Sequence, residues 1–282
     1  MHTNSFYRCP VCGGALVQEE KAYVCANRHS FDISAEGYVN LAPAKSAVGT
    51  VSGDAADTCR ARRRFLESGA YQPLAEALGE RLYRNGAVGE NNLVIDAGCG
   101  EGYYMRALKA RFPQLDLYGV DLAKQGVKMA AKLEKNSARK NHYAVAGIFK
   151  LPFAEESAAA MLSVFAPVAD AEALRVLKPG GVLVVACPGK EHLYGLKQAL
   201  YETPTENEEK IPEYPGFSLL ETGRITYEMR LSGEQAADLF AMTPYFWRSS
   251  AEVREKSAVL GETLTKADFL VKVYRKQKTV LA

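Results

Sequence analysis

The segment Leu93-Val94-Ile95-Asp96-Ala97-Gly98-Cys99-Gly100-Glu101-Gly102 decides the fold of this chain. Its apolar residues predict a buried strand ending at Asp96, its glycines predict a tight turn, and residues 103–112 predict a helix that follows at once. The glycines let a ligand approach the backbone because no Cβ stands in the way. A second predicted strand ends in Asp121, nineteen residues after Gly102, where a carboxylate can accept hydrogen bonds from both ribose hydroxyls. Together they predict an adenosine-containing ligand.

Strand-like and helical patterns alternate from Asn91 onward, which predicts a doubly wound α/β domain. Five parallel strands, each followed by a helix, are predicted at 93–96, 117–121, 142–146, 159–165 and 182–187. Two more strands, at 225–231 and 269–274, are predicted to close one edge of the sheet as an antiparallel pair. Between them Ser232 and Gln235 have the spacing of a helix capping box.

Four potential metal ligands cluster near the N-terminus in the pattern C-x2-C-x12-C-x3-H: Cys9, Cys12, Cys25 and His29. Three thiolates and one imidazole suit tetrahedral zinc, whereas iron fits less well. Four protein ligands leave no open position, so the zinc is predicted to be structural. It would hold together a segment of about 40 residues that is too small to build its own core.

The composition becomes small and polar after this cluster. The strand-rich tail 31–41 is predicted to pack Tyr38 and Val39 near the cysteines. Residues 42–57 indicate a flexible connection, or a loop that becomes ordered on ligand binding. We therefore predict a zinc-binding module over 1–44, a linker and cofactor lid over 45–84, and the larger domain over 85–282.

Composition places the chain in the ordinary globular range, with 48% hydrophobic and 24% charged residues. A run of eighteen or more apolar residues is absent, and the first residues lack the profile of a secretory signal, so we expect a cytoplasmic protein without a membrane partner. A reducing compartment favours metal over disulfide bonds for the cysteine cluster. The net charge of +2 does not by itself indicate a nucleic-acid partner, since phosphate binding needs a local basic surface.

The residues of the glycine turn distinguish between adenosine-containing cofactors. With Asp96 before the first glycine, the turn resembles that of class I Rossmann-like methyltransferases rather than that of NAD-dependent dehydrogenases. S-adenosylmethionine has no pyrophosphate, and an acid near the turn can help to hold its amino-acid end. Gly147 departs from the pattern, because many relatives carry there an Asp that binds the adenine amino group. The predicted fold class is therefore α/β, a class I Rossmann-like methyltransferase with a seven-stranded, mostly parallel sheet and a small N-terminal zinc-binding domain.

Several motifs together resemble one family over nearly the whole chain. They are the cysteine and histidine cluster, ARRRFLESGAYQPL at 61–74, DAGCGEGYY at 96–104, FAP at 165–167 and MTPYFWR at 242–248. On these motifs the chain resembles the RlmA (RrmA) family of large-subunit ribosomal RNA methyltransferases. The resemblance implies methyl transfer from S-adenosylmethionine to N1 of a specific guanine in a hairpin of 23S ribosomal RNA.

The resemblance also implies site residues. The zinc ligands would be the four residues named above, and the cofactor contacts would be Tyr71, Gly100, Glu101 and His192, beside the turn residues Asp96, Gly98, Gly102 and Asp121. Tyr71 is interpreted as part of a lid over the methionine end or, alternatively, as a core aromatic. His192 follows the fifth strand on a loop, where it either lines the site or is simply solvated.

The residues that hold the target base are a hypothesis based on aromatic stacking. Positioning of the two reactants is expected to dominate the methyl transfer, and an extruded base stacks on aromatic side chains. Phe165, Pro167 and Trp247, with Tyr245, are the candidates for the base pocket, and no catalytic base is assigned. The arginines among residues 60–64 either meet phosphates or form the solvated face of a helix.

The zinc module is hypothesised to recognise the RNA. Its Lys21 and Arg28, and Tyr7 and Tyr23 as exposed aromatics, would permit this. A homodimer is a further hypothesis. The stretch 201–216, rich in Glu and Pro, has no assigned role.

Two alternatives stay open. The first is an S-adenosylmethionine-dependent methyltransferase of a small molecule or protein with a structural zinc module, for which deletion of residues 1–44 would leave turnover intact. The second is a nucleic-acid-binding protein whose methyltransferase fold has lost activity, against which the intact glycine turn, Asp96 and Asp121 argue.

Overall fold

The computed structural model describes residues 3–43, 56–137 and 140–278. Over these ranges the chain forms a four-stranded antiparallel sheet near the N-terminus and a sheet of eight strands that organises the rest. None of the helices in this part of the chain is long and apolar enough to cross a membrane. The predicted connection 42–57 and the boundary after residue 44 lie almost wholly outside the described residues.

The small sheet forms the metal-binding module. Its strands, in spatial order, are β1 (Thr3–Arg8), β2 (Ala15–Gln18), β3 (Ala22–Val24) and β4 (Ser30–Asp32). The turn between β1 and β2 carries Cys9 and Cys12, and the turn between β3 and β4 carries Cys25 and His29. Two hairpin turns thus bring the four predicted ligands to one end of the sheet.

All seven strands predicted for the large sheet form, and an eighth joins them. The strands are β5 (Val39–Asn40), β6 (Leu93–Ala97), β7 (Asp116–Asp121), β8 (His142–Val145), β9 (Ala158–Val164), β10 (Leu177–Pro188), β11 (Phe217–Leu231) and β12 (Thr263–Lys276). Their order is β11-β12-β10-β9-β6-β7-β8-β5. Strand β12 is antiparallel to both of its neighbours, whereas the pairs from β10 to β5 are parallel. The predicted α/β class and mostly parallel sheet are confirmed.

The eighth strand corrects the prediction for the tail of the module. Val39 pairs with Ala144 and Asn40 with Val145, so β5 extends the large sheet beyond β8. Tyr38 belongs to a hydrophobic cluster that does not include Cys9 or Cys25, whereas Val39 shares a buried cluster with both cysteines, as predicted. A sheet edge with unpaired backbone groups attracts any extended segment nearby, and this tail covers the edge.

The helices of the described chain are α1 (Ala56–Glu67), α2 (Gln72–Arg84), α3 (Tyr103–Arg111), α4 (Lys124–Glu134), α5 (Asp170–Val176), α6 (Tyr194–Leu200), α7 (Gly233–Ala241), α8 (Pro244–Arg248) and α9 (Ala251–Ala258). The capping box at the start of α7 is confirmed, because Ser232 Oγ accepts from the Gln235 N–H and Gln235 Oε1 from the Ser232 N–H. The helix predicted after the third parallel strand is wrong, since residues 146–157 between β8 and β9 contain none.

The metal-binding module covers the large sheet near the place of this missing helix. The Tyr7 ring packs edge-on against Tyr118 of β7, with centroids 4.8 Å apart, and stacks on Phe153 at 5.5 Å. The Arg8 N–H donates to the Pro152 carbonyl at 2.8 Å. Tyr7 and Tyr23 are 1% and 5% exposed, so the expectation that they are exposed aromatics is wrong. Their apolar area is instead used to attach the module to the domain.

Candidate cofactor and metal sites

The metal cluster has the dimensions of a tetrahedral zinc site. Cys12 Sγ lies 3.7 Å from Cys25 Sγ, and His29 Nδ1 lies 3.5 Å from Cys9 Sγ and 3.4 Å from Cys25 Sγ. Zinc bonds of about 2.3 Å to sulfur and about 2.0 Å to nitrogen, at tetrahedral angles, give separations of about 3.8 Å and about 3.5 Å. All four ligand atoms lie within 4.8 Å of one another, so the residues fit the ion.

The local backbone favours the thiolate form of Cys12. The first turn is closed by the Gly13 N–H, which donates to the Cys9 carbonyl at 2.8 Å, and Gly13 has a φ of 74°, which suits glycine. A hydrogen bond from the Gly14 backbone, followed by one from His29, lowers the pKa of Cys12 to about 6. Since the thiolate is the form that ligates metals, the turn prepares this sulfur for binding.

The glycine turn between β6 and α3 has backbone conformations that demand glycine. Gly98, Gly100 and Gly102 have φ values of 90°, 53° and 78°. A Cβ at Gly98 would lie 2.6 Å from Ala166 Cβ, and one at Gly102 would lie 2.7 Å from Tyr143 Oη. The turn is also packed from beneath, because a Cβ at Gly126 of α4 would lie 3.0 Å from the Gly100 carbonyl carbon and oxygen. Sequence analysis missed Gly126, which has no turn pattern to mark it.

Three carboxylates surround this turn, and each is held differently. Asp121 Oδ2 accepts from the Gly100 N–H at 2.9 Å and Oδ1 from the Ala123 N–H at 2.8 Å, which fixes the carboxylate at the sheet edge. Glu101 is buried and pairs with Arg106 at 2.9 Å. Each Asp121 oxygen retains a free lone pair, so the predicted acceptance of ribose hydroxyls stays compatible with its contacts.

Asp96 is the least satisfied of the three. It is 1% exposed, and its Oδ1 has no hydrogen-bond partner in the described residues. Burial, together with the charges of Asp121 and Glu101, raises the pKa of Asp96 to about 7. A buried acceptor of this kind suits a cationic donor. The ammonium group of S-adenosylmethionine is such a donor, so Asp96 fits this cofactor.

Tyr71 and His192 lie together although 121 residues separate them. Tyr71 Oη is 3.2 Å from His192 Nε2, and the Asp268 N–H donates to His192 Nδ1 at 3.2 Å. Because Nδ1 accepts, the neutral ring carries its proton on Nε2 and donates to Tyr71 Oη. Burial lowers the pKa of His192 to about 3, which keeps the ring neutral. The Tyr71 hydroxyl proton then has no acceptor among the described residues. Tyr71 is 1% exposed within a hydrophobic core cluster, as the alternative of a core aromatic expects.

An aromatic cluster surrounds this pair. The Phe165 ring stacks on His192 with centroids 6.1 Å apart, and Phe269 lies 4.9 Å from Tyr71 and 4.8 Å from His192. Phe165 has a φ of 54°, which is rare for a bulky residue, and it is 42% exposed. Sequence analysis identified Phe269 only as part of a strand, since its approach to the site depends on the pairing of β12 with β10.

The base-pocket candidates lie on two elements, since Phe165 and Pro167 follow β9 and Trp247 lies on α8. The carbonyls of Ala166 and Pro167 accept from Ser163 Oγ at 3.0 and 3.4 Å, so the segment after β9 is held close to Phe165. Trp247 packs edge-on against Phe246 on α8, with centroids 5.3 Å apart. Among the described residues no ring contact joins Trp247 to Phe165.

The arginines of α1 divide into two kinds. Arg60, Arg63 and Arg64 form ion pairs with Asp57, Glu67 and Asp238, respectively. Arg62 has no ion pair within the described chain, and its Nη1 lies 3.5 Å from the position that a Cβ at Gly100 would occupy. The predicted solvated face thus describes the paired arginines, whereas Arg62 reaches the glycine turn.

Two segments of the chain match known protein families. Residues 7–47 match the family described as RlmA, N-terminal, and residues 94–181 match a methyltransferase domain. The 23S rRNA (guanine(748)-N(1))-methyltransferase of Streptomyces fradiae is 32% identical over 254 residues, 88% of this chain and 88% of that protein. A malonyl-[acyl-carrier protein] O-methyltransferase of Hahella chejuensis is 34% identical, but over 133 residues, 45% of this chain.

The likeness to the Streptomyces protein extends over 88% of this chain, whereas the likeness to the acyl-carrier-protein enzyme covers less than half of it. The cofactors are S-adenosylmethionine and zinc, and the protein is an S-adenosylmethionine-dependent methyltransferase. The chain belongs to the RlmA family of 23S ribosomal RNA guanine-N1 methyltransferases.

Proposed function

We propose that this protein transfers a methyl group from S-adenosylmethionine to N1 of one guanine in a hairpin of 23S ribosomal RNA. The observation that carries the proposal is the union of an RlmA-type zinc module with a cofactor-binding sheet in one chain. The Streptomyces relative, which is similar over 88% of its length, is named for this reaction. A ribosomal substrate is consistent with a cytoplasmic protein.

The cofactor site is proposed from the contacts around the glycine turn. The positive φ values of Gly98, Gly100 and Gly102 leave room for the ligand beside the backbone. Asp96 Oδ1 is proposed to accept from the ammonium group, and Asp121 to accept from the ribose hydroxyls. The predicted contact of Glu101 is kept as part of the proposal, with Arg106 holding its carboxylate in place.

The opposite wall of the cofactor site is proposed to be formed by Tyr71 and His192. His192 donates to the Tyr71 oxygen, which leaves the Tyr71 hydroxyl as a donor toward the amino-acid end of the cofactor. Arg62 lies beside the same turn without a carboxylate partner in the described chain, so we add it as a cation for the carboxylate of that end. S-adenosylmethionine supplies the methyl group when bound, and these residues orient it.

The target base is proposed to stack on Phe165. Its ring is partly exposed at the mouth of the Tyr71 and His192 site, and its backbone is held in an unusual conformation. Pro167 stays in this proposal because Ser163 anchors the segment that carries it. Trp247, whose ring packs on α8 against Phe246, is kept as a further candidate for the pocket.

The metal site is proposed to hold structural zinc through Cys9, Cys12, Cys25 and His29. The distances match a tetrahedral ion, and the four ligands leave no coordination position for a substrate. The module over residues 1–44 is proposed to contribute to RNA recognition. With Tyr7 and Tyr23 buried against the domain, its exposed basic side chains Lys21 and Arg28 are the candidates for that contact.

We also propose a division of 45–84 as linker and lid and of 85–282 as the methyltransferase domain. Helices α1 and α2 bury Phe65, Leu74 and Leu78, which makes residues 56–84 an ordered cover. A homodimer is kept as a proposal. Light scattering of the purified protein would give twice the monomer mass if it is right.

The experiment that tests the function is deletion of the gene in its host, followed by nucleoside mass spectrometry and primer-extension mapping of large-subunit ribosomal RNA. We expect the loss of one N1-methylguanosine, restored by the purified protein with S-adenosylmethionine. Mapping identifies the base, and separate assays with free RNA and with ribosomal particles identify the form of the substrate. An unchanged methylation profile would refute the proposal.

A further inference from the structure

Residues 202–216 form an extended segment between α6 and β11, without helix or strand, which we call the strap. The strap is fastened along its length to β12. Tyr274 Oη donates to the Pro212 carbonyl at 2.9 Å, and Lys272 Nζ donates to the Lys210 carbonyl. A segment rich in Glu and Pro has little apolar area to bury, so these polar contacts define its path.

Asn207 of the strap uses its side chain fully. Its Nδ2 donates to the Gly189 carbonyl at 2.9 Å and to the His192 carbonyl at 3.0 Å. Its Oδ1 accepts from Lys197 Nζ at 2.8 Å and from Tyr245 Oη at 2.5 Å. Both N–H donors and both oxygen lone pairs of the Asn207 amide are therefore hydrogen-bonded. These four bonds fix the orientation of the side chain.

The carbonyls that Asn207 contacts belong to residues 189–193, which we call the His192 loop. The Asn207 N–H also donates to the Lys190 carbonyl at 2.9 Å. The neighbouring Glu209 of the strap accepts from the Lys190 N–H at 2.5 Å. The strap therefore satisfies most of the polar backbone groups on one side of this loop.

Strand β12 holds the other side of the His192 loop. The Asp268 carbonyl accepts from the Gly189 N–H at 2.7 Å, and Asp268 Oδ2 accepts from the Glu191 N–H at 2.9 Å. The Asp268 N–H orients the His192 ring through Nδ1. With β12 on one side and Asn207 on the other, the loop is clamped, and the His192 ring meets Tyr71 at a fixed position.

We propose that Asn207 is a positioning residue for cofactor binding, which holds the His192 loop and ties it to α8 through Tyr245. The inference rests on the proposed cofactor contacts of Tyr71 and His192. Without the Asn207 side-chain amide, the His192 carbonyl loses its donor and the Gly189 carbonyl keeps only the 3.2 Å contact with the His192 N–H, so the loop loosens and His192 no longer stays against Tyr71. In such a variant the His192 loop is disordered in the free enzyme and must become ordered when the cofactor binds. The free-energy cost of this ordering weakens cofactor binding.

The test compares Asn207→Ala and Asn207→Asp with Glu208→Ala, a matched control at the adjacent strap position, whose exposed side chain pairs with Lys210. The Kd for S-adenosylmethionine is measured by calorimetry, and KM is measured for the cofactor and for 23S ribosomal RNA from the deletion strain. We expect Kd and KM for the cofactor to rise at least tenfold in both Asn207 variants, with KM for the RNA within twofold. Asn207→Asp keeps the acceptor for Lys197 and Tyr245 but removes the donor, so its failure isolates the loop contacts.

Thermal unfolding separates positioning from stability. A lower Tm in both Asn207 variants with an unchanged KM for the cofactor would overturn the proposal, as would equal effects in Glu208→Ala. Glu209→Ala, which removes one loop contact together with the ion pair to Arg224, is expected to give a smaller rise in KM and serves if the Asn207 variants do not fold. His192→Ala and Tyr71→Phe distinguish the two proposals. If both bind the cofactor normally, the proposed contacts fail and this inference with them. If they bind weakly while the Asn207 variants bind normally, only this inference fails.

Discussion

Asp96 is a buried carboxyl group with one unpartnered oxygen, and two other acids lie nearby. Its pKa in the folded protein, about 7, is above the ordinary value of 3.8. The folded protein therefore binds the extra proton between these two pH values, and the stability contributed by the neutral carboxyl is lost as the pH rises toward 7. The change in pKa corresponds to at most about 4 kcal/mol. Cofactor binding works in the opposite direction, since an ammonium group favours the ionised carboxylate.

For Asp96→Asn we expect a free enzyme that gains thermal stability over the natural protein at pH 8, with a smaller gain at pH 5. The affinity of the natural protein for S-adenosylmethionine is expected to rise between pH 6 and pH 8, and the variant is expected to lose this rise and bind at least tenfold more weakly at pH 8. Thermal unfolding and calorimetry across this range measure both effects. Asp116→Asn, at the start of the neighbouring strand β7, is the control. A cofactor affinity independent of pH in the natural protein would contradict the assignment.

Phe165 tests the substrate side at the same scale. Its ring is 42% exposed, so Phe165→Ala is expected to change Tm little. Stacking of a base on an aromatic ring contributes about 1–3 kcal/mol, which predicts a fall in turnover of roughly tenfold to a hundredfold. The Kd for S-adenosylmethionine should stay within about threefold, because Tyr71 and His192 remain. Tyr83→Ala, an exposed aromatic on α2, is the control. Turnover equal to that of the natural protein would remove Phe165 from the base pocket.

At the scale of elements, helix α4 supports the cofactor turn through a close backbone contact. Gly126 lets α4 approach Gly100, and Gly126→Ala would bring a Cβ to 3.0 Å from that backbone. Alanine favours the helix by about 1 kcal/mol, so stability should not fall by much, but the turn must shift. We expect the affinity for S-adenosylmethionine, measured by calorimetry, to fall at least tenfold. Gly79→Ala in α2 is the matched control, because its Cβ meets only the ends of side chains. Equal affinities in the two variants would show that the contact has no role in binding.

The elements also show which features the sequence could predict. The seven strands, the glycine turn and the capping box at Ser232 depend on local periodicity and spacing, and they are confirmed. The tail 31–41 was predicted to be strand-rich, but the pairing of β5 with β8 and the burial of Tyr7 depend on partners distant in sequence, so local patterns gave no sign of these contacts. The same reason explains why the role of Asn207 was missed.

The residues of the candidate site also divide into those that local sequence predicts and those that it does not. Carboxylates at strand ends follow from the rule that ligands bind at the carboxyl edge of a parallel sheet, and the structure places Asp96 and Asp121 there. The meeting of Tyr71 with His192 came only from the family resemblance. Trp247 was grouped with Phe165 because both are aromatic, and its place in the base pocket stays a prediction, since its ring contacts Phe246 of its own helix.

At the scale of the whole molecule, the zinc module and the methyltransferase domain share a hydrophobic core. Tyr7, Leu16 and Tyr23 belong to one buried cluster with Tyr118 and Phe153. The tail of the module adds β5 to the large sheet. Deletion of residues 1–44 would therefore expose sheet residues and remove a strand, so loss of turnover in such a variant reports on folding as well as on RNA recognition.

The shared core predicts that zinc stabilises both parts together. Cys12 is the exposed ligand of the cluster, so Cys12→Ser removes a metal bond while altering little packing. We expect Cys12→Ser, or chelation of the natural protein, to lower the Tm of a single cooperative transition by several degrees, because loss of the module uncovers Tyr118 and Phe153. Circular dichroism follows unfolding, while a colorimetric dye measures zinc release. Cys187→Ser, outside the cluster, should retain zinc and the natural Tm. If instead the metal leaves and the domain unfolds at an unchanged temperature, the module is an independent unit, and its deletion becomes a clean test of RNA recognition.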